Sequence, residues 1–415
     1  MTDSQRFYRN KGTSNNMKEL DNNWKAICDA IARALFRESV LHDNTDQIWN
    51  DLDWEMIISE TQIQAISPLV KAGIGVSLTS EINQKWEDIN AQYYMHYIRV
   101  LYAEKELTNL LNGAGIRFVI LKGTACAIYY PEPYLRVMGD IDLLVPPIDF
   151  DRARRILLEN AYELDEAEKD NLRHILYRKD GILFELHRRF SNDELDSAID
   201  PYIDRCMDKL KVGNIDGTEF PILPELENGI VILSHVRNHL LSGLGLRQVL
   251  DWMMYVWRVV DDKYWEDFFM PVAQAHNLET LAITLSHMCQ MYFGLPEAFT
   301  WCMNADEELC ERLMENIRLS GNFGQNNGVG KSVERILVRL RRKDGFHYLQ
   351  SAGQYNWKAC QRHKWLMPFA WIYQIGRYIK LGILTKLRGG LLTEDFCRSS
   401  DRFKLLRDLD IFGEG

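Results

Sequence analysis

Apolar residues recur at helical spacing through residues 19–90, as in Trp24, Ile27, Ile31 and Leu35, and predict a small helical N-terminal region. Residues 93–112 keep the same period (Tyr94, Ile98, Leu101, Leu107, Leu110, Leu111) and read as one longer helix, with Gly113 and Gly115 as stop signals. The pattern then changes. Residues 117–121 (RFVIL) form a short apolar run, followed by Lys122-Gly123-Thr124 and a short helix to Tyr130. A proline-bearing loop, PEPYLRVMG, leads into residues 140–145 (DIDLLV), a second strand that Pro146-Pro147 ends. Residues 150–160 read as a helix. HILYR and ILFELH then flank the turn Lys179-Asp180-Gly181, and Asp-Gly between two apolar runs is a strong hairpin signal. From about residue 225 the period is helical again, over 228–241, 245–260 and 264–276 and on to the end, with loops near 321–330 and 389–390.

This order predicts an α+β protein: a small mixed sheet flanked by helices, between an N-terminal and a large C-terminal helical region. The expected division is a helical region over 1–92, with 1–18 polar and flexible, an α/β core over 93–212, and a helical domain over 213–415. The 415 residues, 46% hydrophobic and 26% charged, have an ordinary globular composition. The formal charge of −10 excludes a generally basic nucleic-acid coat protein. Eight cysteines without a C-x-x-C pair give no zinc signature and read as reduced, mostly buried thiols. The N-terminus lacks an apolar signal region, and the most apolar stretch, residues 366–373, is far short of the ~20 residues of a spanning helix. The expectation is a soluble cytoplasmic protein.

The sharpest chemical feature is Gly139-Asp140-Ile141-Asp142-Leu143-Leu144-Val145. Residues two apart on a strand share a face, so Asp140 and Asp142 aim one way while Ile141 and Leu143 aim at the core. Two readings stand: a solvated strand end, or a pair of hard oxygen ligands whose mutual repulsion a Mg²⁺ ion (or Mn²⁺) relieves. Lys122-Gly123-Thr124 is a strand-to-helix turn whose free N–H groups suit a phosphate, with a hydroxyl and a charge beside them; the alternative is an ordinary turn. Glu185 alternates with Phe184 and Leu186 on the hairpin strand. Placed beside residues 140–145 it completes a triad able to hold metal for phosphoryl or nucleotidyl transfer. His187 shares its face and reads first as a structural histidine.

The succession of strand, K-G-T, helix, R-x-M-G-D-I-D-L-L-V and F-E-L-H resembles the nucleotidyltransferase superfamily, the fold shared with DNA polymerase beta and kanamycin nucleotidyltransferase. It is most similar to a bacterial family of uncharacterised nucleotidyltransferases, which carries L-K-G, R-x-M-x-D-I-D-L-L-V and E-x-H, then H-x-x-x-H and R-x-x-x-D. The last two stand here as His235 to His239 and Arg247 to Asp251. The resemblance covers about residues 95–275. It implies a metal-dependent enzyme that moves an NMP from an NTP to an acceptor and releases pyrophosphate, with Asp140, Asp142 and Glu185 as catalytic metal ligands. Lys122, Gly123, Thr124, Arg136 and Gly139 fall on the nucleotide side, and His187, His235, His239 and Asp251 line a substrate cleft. The chain has Lys-Gly-Thr where many superfamily members have Gly-Ser, and a longer gap to the first aspartate.

The acceptor is open: a small molecule, a lipid-linked sugar, RNA or a protein. A non-catalytic binding module on the same fold and a protein-nucleotidylating enzyme are the alternative functions. His235 and His239 have metal-binding spacing but no third soft ligand, and Arg247 with Asp251 reads most simply as a helical ion pair. Residues 331–390 carry 13 Lys/Arg against Glu334 and Asp344, about +11, which leaves −21 on the rest of the chain. Aromatic residues, among them Phe346, Tyr348, Tyr355, Trp357, Trp365, Trp371, Tyr373 and Tyr378, lie among these charges. The segment reads either as amphipathic helices with a solvated basic face or as a site for a polyanion or membrane surface.

Overall fold

A computed structural model describes residues 20–37, 48–49, 51–166, 173–191, 198–322, 331–341, 345–387 and 392–413. The expected flexible residues 1–18 and most of the loops at 321–330 and 389–390 lie outside the described residues. The architecture is α+β, as expected: mostly helical, with a five-stranded mixed sheet and a separate hairpin.

Helix α1 (Asn22–Phe36) opens the described chain, capped by the Asp21 side chain on the Trp24 N–H. Two short helices (Trp54–Ile63 and Ser67–Ala72) lead to a long one, α2 (Ser80–Gly113). It starts well before the expected residue 93 because Thr79 caps it and its first turns stay polar. The sheet runs β1 (Val119–Leu121), β2 (Ile141–Leu144), β3 (Glu163–Leu164), β4 (His174–Lys179) and β5 (Ile182–His187), in the spatial order β1-β2-β5-β4-β3. β1 and β2 are antiparallel, β2 and β5 parallel, and β4 and β5 form the expected hairpin. Asp180 and Gly181 turn it with φ of 50° and 74°, the positive values a two-residue hairpin turn needs.

A second hairpin, β6 (Lys211–Ile215) with β7 (Thr218–Ile222), lies where the sequence reading gave no strand. Its turn, Asp216-Gly217, repeats the Asp-Gly signal and the φ values, 50° and 76°. Helices α3 (Glu225–Leu240), α4 (Leu246–Val259), α5 (Glu279–Phe293) and α6 (Glu307–Ser320) build the helical half. The single helix expected over 264–276 is interrupted. Residues Trp265–Phe269 take a wider turn before Met270–Ala275, because Pro271 has no N–H to donate and its ring crowds the carbonyl one turn back.

The sheet's two faces feed two different cores. Ile120, Ile141, Leu143, Phe184 and Leu186 pack with Tyr97, Leu107 and Leu111 of α2. Val119, Leu121 and Leu144 join the larger core, which unites α1 with α3 to α6 and reaches Leu405, Leu406 and Ile411. The N-terminal and C-terminal helical regions therefore share one interior. The polar positions of the second sheet face look toward the helical half, and the site lies between them.

Candidate active site

Strand register assembles the site. Leu121 pairs with Asp142, and Asp142 with Glu185, so all three side chains share the face opposite Ile141 and Leu143. Asp140, two residues earlier, points the same way. Ligand oxygens of Asp140, Asp142 and Glu185 lie within 4.8 Å of one another. His187, opposite Leu144, also shares this face. Its Nε2 lies 2.9 Å from Asp142 Oδ1 and 3.2 Å from Glu185 Oε2, so one buried ring holds two of the carboxylates.

Lys122 follows β1 directly. Its backbone, at φ 55° and ψ −140°, sits in a region that non-glycine residues rarely occupy. That strain turns its ammonium into the acids, 2.6 Å from Asp142 Oδ1. Gly123, at φ 41°, continues the turn.

The charges are unequally compensated. Burial pushes Asp140 up to about 6, with help from the neighbouring Asp142 charge. Burial would also raise Asp142, but the Lys122 ammonium and the His187 bond outweigh it and hold that carboxyl below the usual range. Burial would lower Lys122 and His187, yet the surrounding carboxylates keep both raised. Glu185 is lowered too: burial opposes this, and the His187 bond and Lys122 override it. Three carboxylates of hard oxygen, crowded around a single ammonium, are a donor set that suits a divalent cation such as Mg²⁺ or Mn²⁺.

The acids open onto a cleft of about 300 Å³. Lys122, Gly123, Arg136, Gly139, His235 and His239 line it along with the three acids, so most residues singled out from the sequence meet at one place. The two histidines stack edge to face, 4.3 Å between ring centres. Burial and the Lys122 charge hold His239 down at about 3 and His235 well below the usual histidine range, so both are neutral walls.

Two expected contacts are replaced. The Thr124 hydroxyl does not face the cleft; it donates to buried Glu104 of α2, 2.8 Å away. Thr124 lies inside the first turn of a short helix (Gly123–Ala127), which rotates its side chain toward α2. Asp251 takes Arg136 as a partner from across the chain: Nε and Nη2 each lie 2.8 Å from a carboxylate oxygen, and Tyr130 adds its hydroxyl at 3.1 Å. Asp251 thus sits behind Arg136 as its anchor rather than among the lining residues.

The reading missed several lining residues. Arg173 precedes β4 and His174 opens it, Asn238 and Ser242 lie at the end of α3, Arg247 opens α4, and Arg339 comes from the basic segment. For Asn238 the signal was present, since it adjoins His239 on the same helix. Arg247 stands against Gly139, where an added Cβ would lie 3.4 Å from its Nη1, so the missing side chain makes room for the guanidinium.

The family model described as uncharacterised nucleotidyltransferase matches residues 50–294, more than half of the chain. No curated protein matches the chain closely enough to count as a relative. The chain belongs to this uncharacterised nucleotidyltransferase family.

Proposed function

We propose that this family member transfers a nucleotidyl group from an NTP to an acceptor hydroxyl or phosphate and releases pyrophosphate, with Asp140, Asp142 and Glu185 holding Mg²⁺ or Mn²⁺. One observation carries the reading: three carboxylates converge at the floor of a cleft whose walls hold Lys122, Arg173, Arg247 and Arg339. An acidic floor with cationic walls suits a triphosphate bound together with a metal ion. A bound divalent cation supplies charge neutralisation on the phosphates and lowers the pKa of a coordinated oxygen.

The chain's own residues do the rest. The acceptor oxygen bonds to the α-phosphorus as the bond from that phosphorus to the bridging oxygen breaks, and pyrophosphate leaves with the electron pair. Lys122 and the wall arginines hold the phosphates in line, which removes the entropy of bringing the reactants together. We assign the acceptor's proton to Glu185, the more exposed of the two carboxylates that His187 holds, 20% against 4% for Asp142. His187 fixes both carboxylates from below and leaves them acceptor-only toward the cleft. Arg136, tied to Asp251, is assigned to shape the nucleotide wall.

The test is pyrophosphate release from each common NTP with Mg²⁺ or Mn²⁺, against pools of hydroxyl-bearing metabolites, lipid-linked sugars, RNA and protein. Activity in the wild type that disappears in Asp142→Asn supports the reading. Equal activity in an Asp140→Asn/Asp142→Asn double variant overturns it.

A further inference from the structure

The C-terminal segment carries a surface that the cleft does not use. Helix α7 (Gly345–Asn356) packs against helix α8 (Ala370–Leu387), which a short turn over Lys364–Phe369 precedes. The contact is close: a Cβ on Gly353 would lie 2.1 Å from the Ala370 carbonyl oxygen. Along the inner face of α8, Ala370 and Gln374 are buried, and the Tyr378 hydroxyl donates to that of Tyr348 at 3.1 Å. These contacts hold α8 in place without its outer face.

That outer face is apolar. Ile372, Ile375, Ile379 and Ile383 recur at intervals of three and four, which puts them on one stripe. Ile379 and Ile383 are 59% and 56% exposed, and Gly376 on the same stripe faces open space. The preceding turn extends the stripe with Trp365, 71% exposed, and Phe369. Exposed Lys358, Arg362 and Lys364 precede it, and exposed Lys380 lies about a quarter-turn round α8 from Ile379. Residues 345–393 contain no Asp or Glu.

We propose that this face docks on an anionic phospholipid surface, with the isoleucine stripe and Trp365 entering the headgroup boundary and the flanking Lys/Arg meeting lipid phosphates. Charge complementarity selects this occupant. A second copy would set the same basic band against itself. A single-stranded RNA would use stacking rings, whereas this stripe is chiefly aliphatic. The strongly acidic remainder of the chain repels an anionic surface and so confines docking to this face. No described helix is long and apolar enough to cross a membrane, so the contact is peripheral. The helix bearing cleft residue Arg339, Lys331–Leu340, packs on α7 and α8, so the docked surface and the cleft share one helical unit.

The test is co-sedimentation of the full chain with vesicles of pure phosphatidylcholine, or of equal parts phosphatidylcholine and phosphatidylglycerol, at low and at physiological salt. The proposal expects binding to the mixed vesicles that weakens with salt and is much weaker on pure phosphatidylcholine. Ile379→Glu/Ile383→Glu should cut the affinity at least about tenfold with an unchanged melting temperature. Lys364→Glu/Lys380→Glu should cost about fivefold or more for each charge reversed and flatten the salt dependence. Unchanged binding in the isoleucine variant, or equal binding to both vesicle types, overturns the proposal. So does a wild type that ignores vesicles, whether it forms a dimer that the isoleucine variant breaks or binds single-stranded RNA instead.

Discussion

Two buried charge assemblies meet at the cleft, and they differ in balance. Arg136 and Asp251 form a closed pair: two parallel bonds of 2.8 Å, and side chains 5% and 4% exposed. Each charge has its complement. Asp140, Asp142 and Glu185 form an open one: three carboxylates share one bonded ammonium and one imidazole, and Arg173 and Arg247 act on them through space. A closed pair keeps a fold in register, and breaking it leaves a stranded buried charge. An open assembly lowers the stability of the empty protein and is explained by a ligand that completes it. The contrast separates a scaffold from a site, although both look like acids near bases.

Substitutions should divide along that line. Asp140→Asn should reduce nucleotidyl transfer roughly a thousandfold, the scale seen when one electrostatic partner of a transition state is removed. Its melting temperature should stay level or rise, since Asp142 crowds Asp140 with like charge. Arg136→Ala should do the reverse in urea unfolding, costing roughly 3–5 kcal/mol by stranding Asp251. A stability-neutral Arg136→Ala would erase the distinction.

Another buried acid, Glu104, lies between these cases. Glu104 is pushed from 4.5 up to about 8 by burial, a rise that the Thr124 bond only partly offsets. Its folded pKa exceeds its unfolded one, so its contribution is fully present below 4.5 and fades as pH rises toward 8. The loss by neutral pH is on the order of 3 kcal/mol. Glu104→Gln should flatten that slope in a melting-temperature series, and an unchanged slope would place the titration elsewhere. The smallest effect is at Gly123. An added Cβ meets only the Asp140 carbonyl oxygen, at 3.9 Å, so Gly123→Ala should cost about 1 kcal/mol through its positive φ rather than through a clash. A much larger loss of stability would make it a packing glycine.

The sequence carried the open assembly better than the closed one. Period-two alternation placed Asp140 with Asp142, and the Asp180-Gly181 turn brought Glu185 within reach of a pairing with β2. Both are local signals. The Arg136–Asp251 pair spans 115 positions. The nearer Arg247, one helical turn from Asp251, supplied a simpler partner that the local rule favoured. Thr124 misled for a related reason: its hydroxyl suits a phosphate in any turn, and only the packing of α2 reveals Glu104 as its acceptor. The second hairpin was legible in Asp216-Gly217, but Gly213 and Pro221 weakened its strand signal. Arg339 was out of reach, since no local pattern brings the C-terminal segment to the cleft.

The central claim is that the three acids form a divalent-cation site that their own cation leaves incomplete. Mn²⁺ titration followed by electron paramagnetic resonance, with and without NTP, tests it on wild type, Asp140→Asn/Asp142→Asn and Arg136→Ala. The account predicts saturable Mn²⁺ binding in the wild type and in the folded fraction of Arg136→Ala, and its loss in the double variant. Equal Mn²⁺ binding by the double variant, or none by the wild type even with NTP, would contradict it.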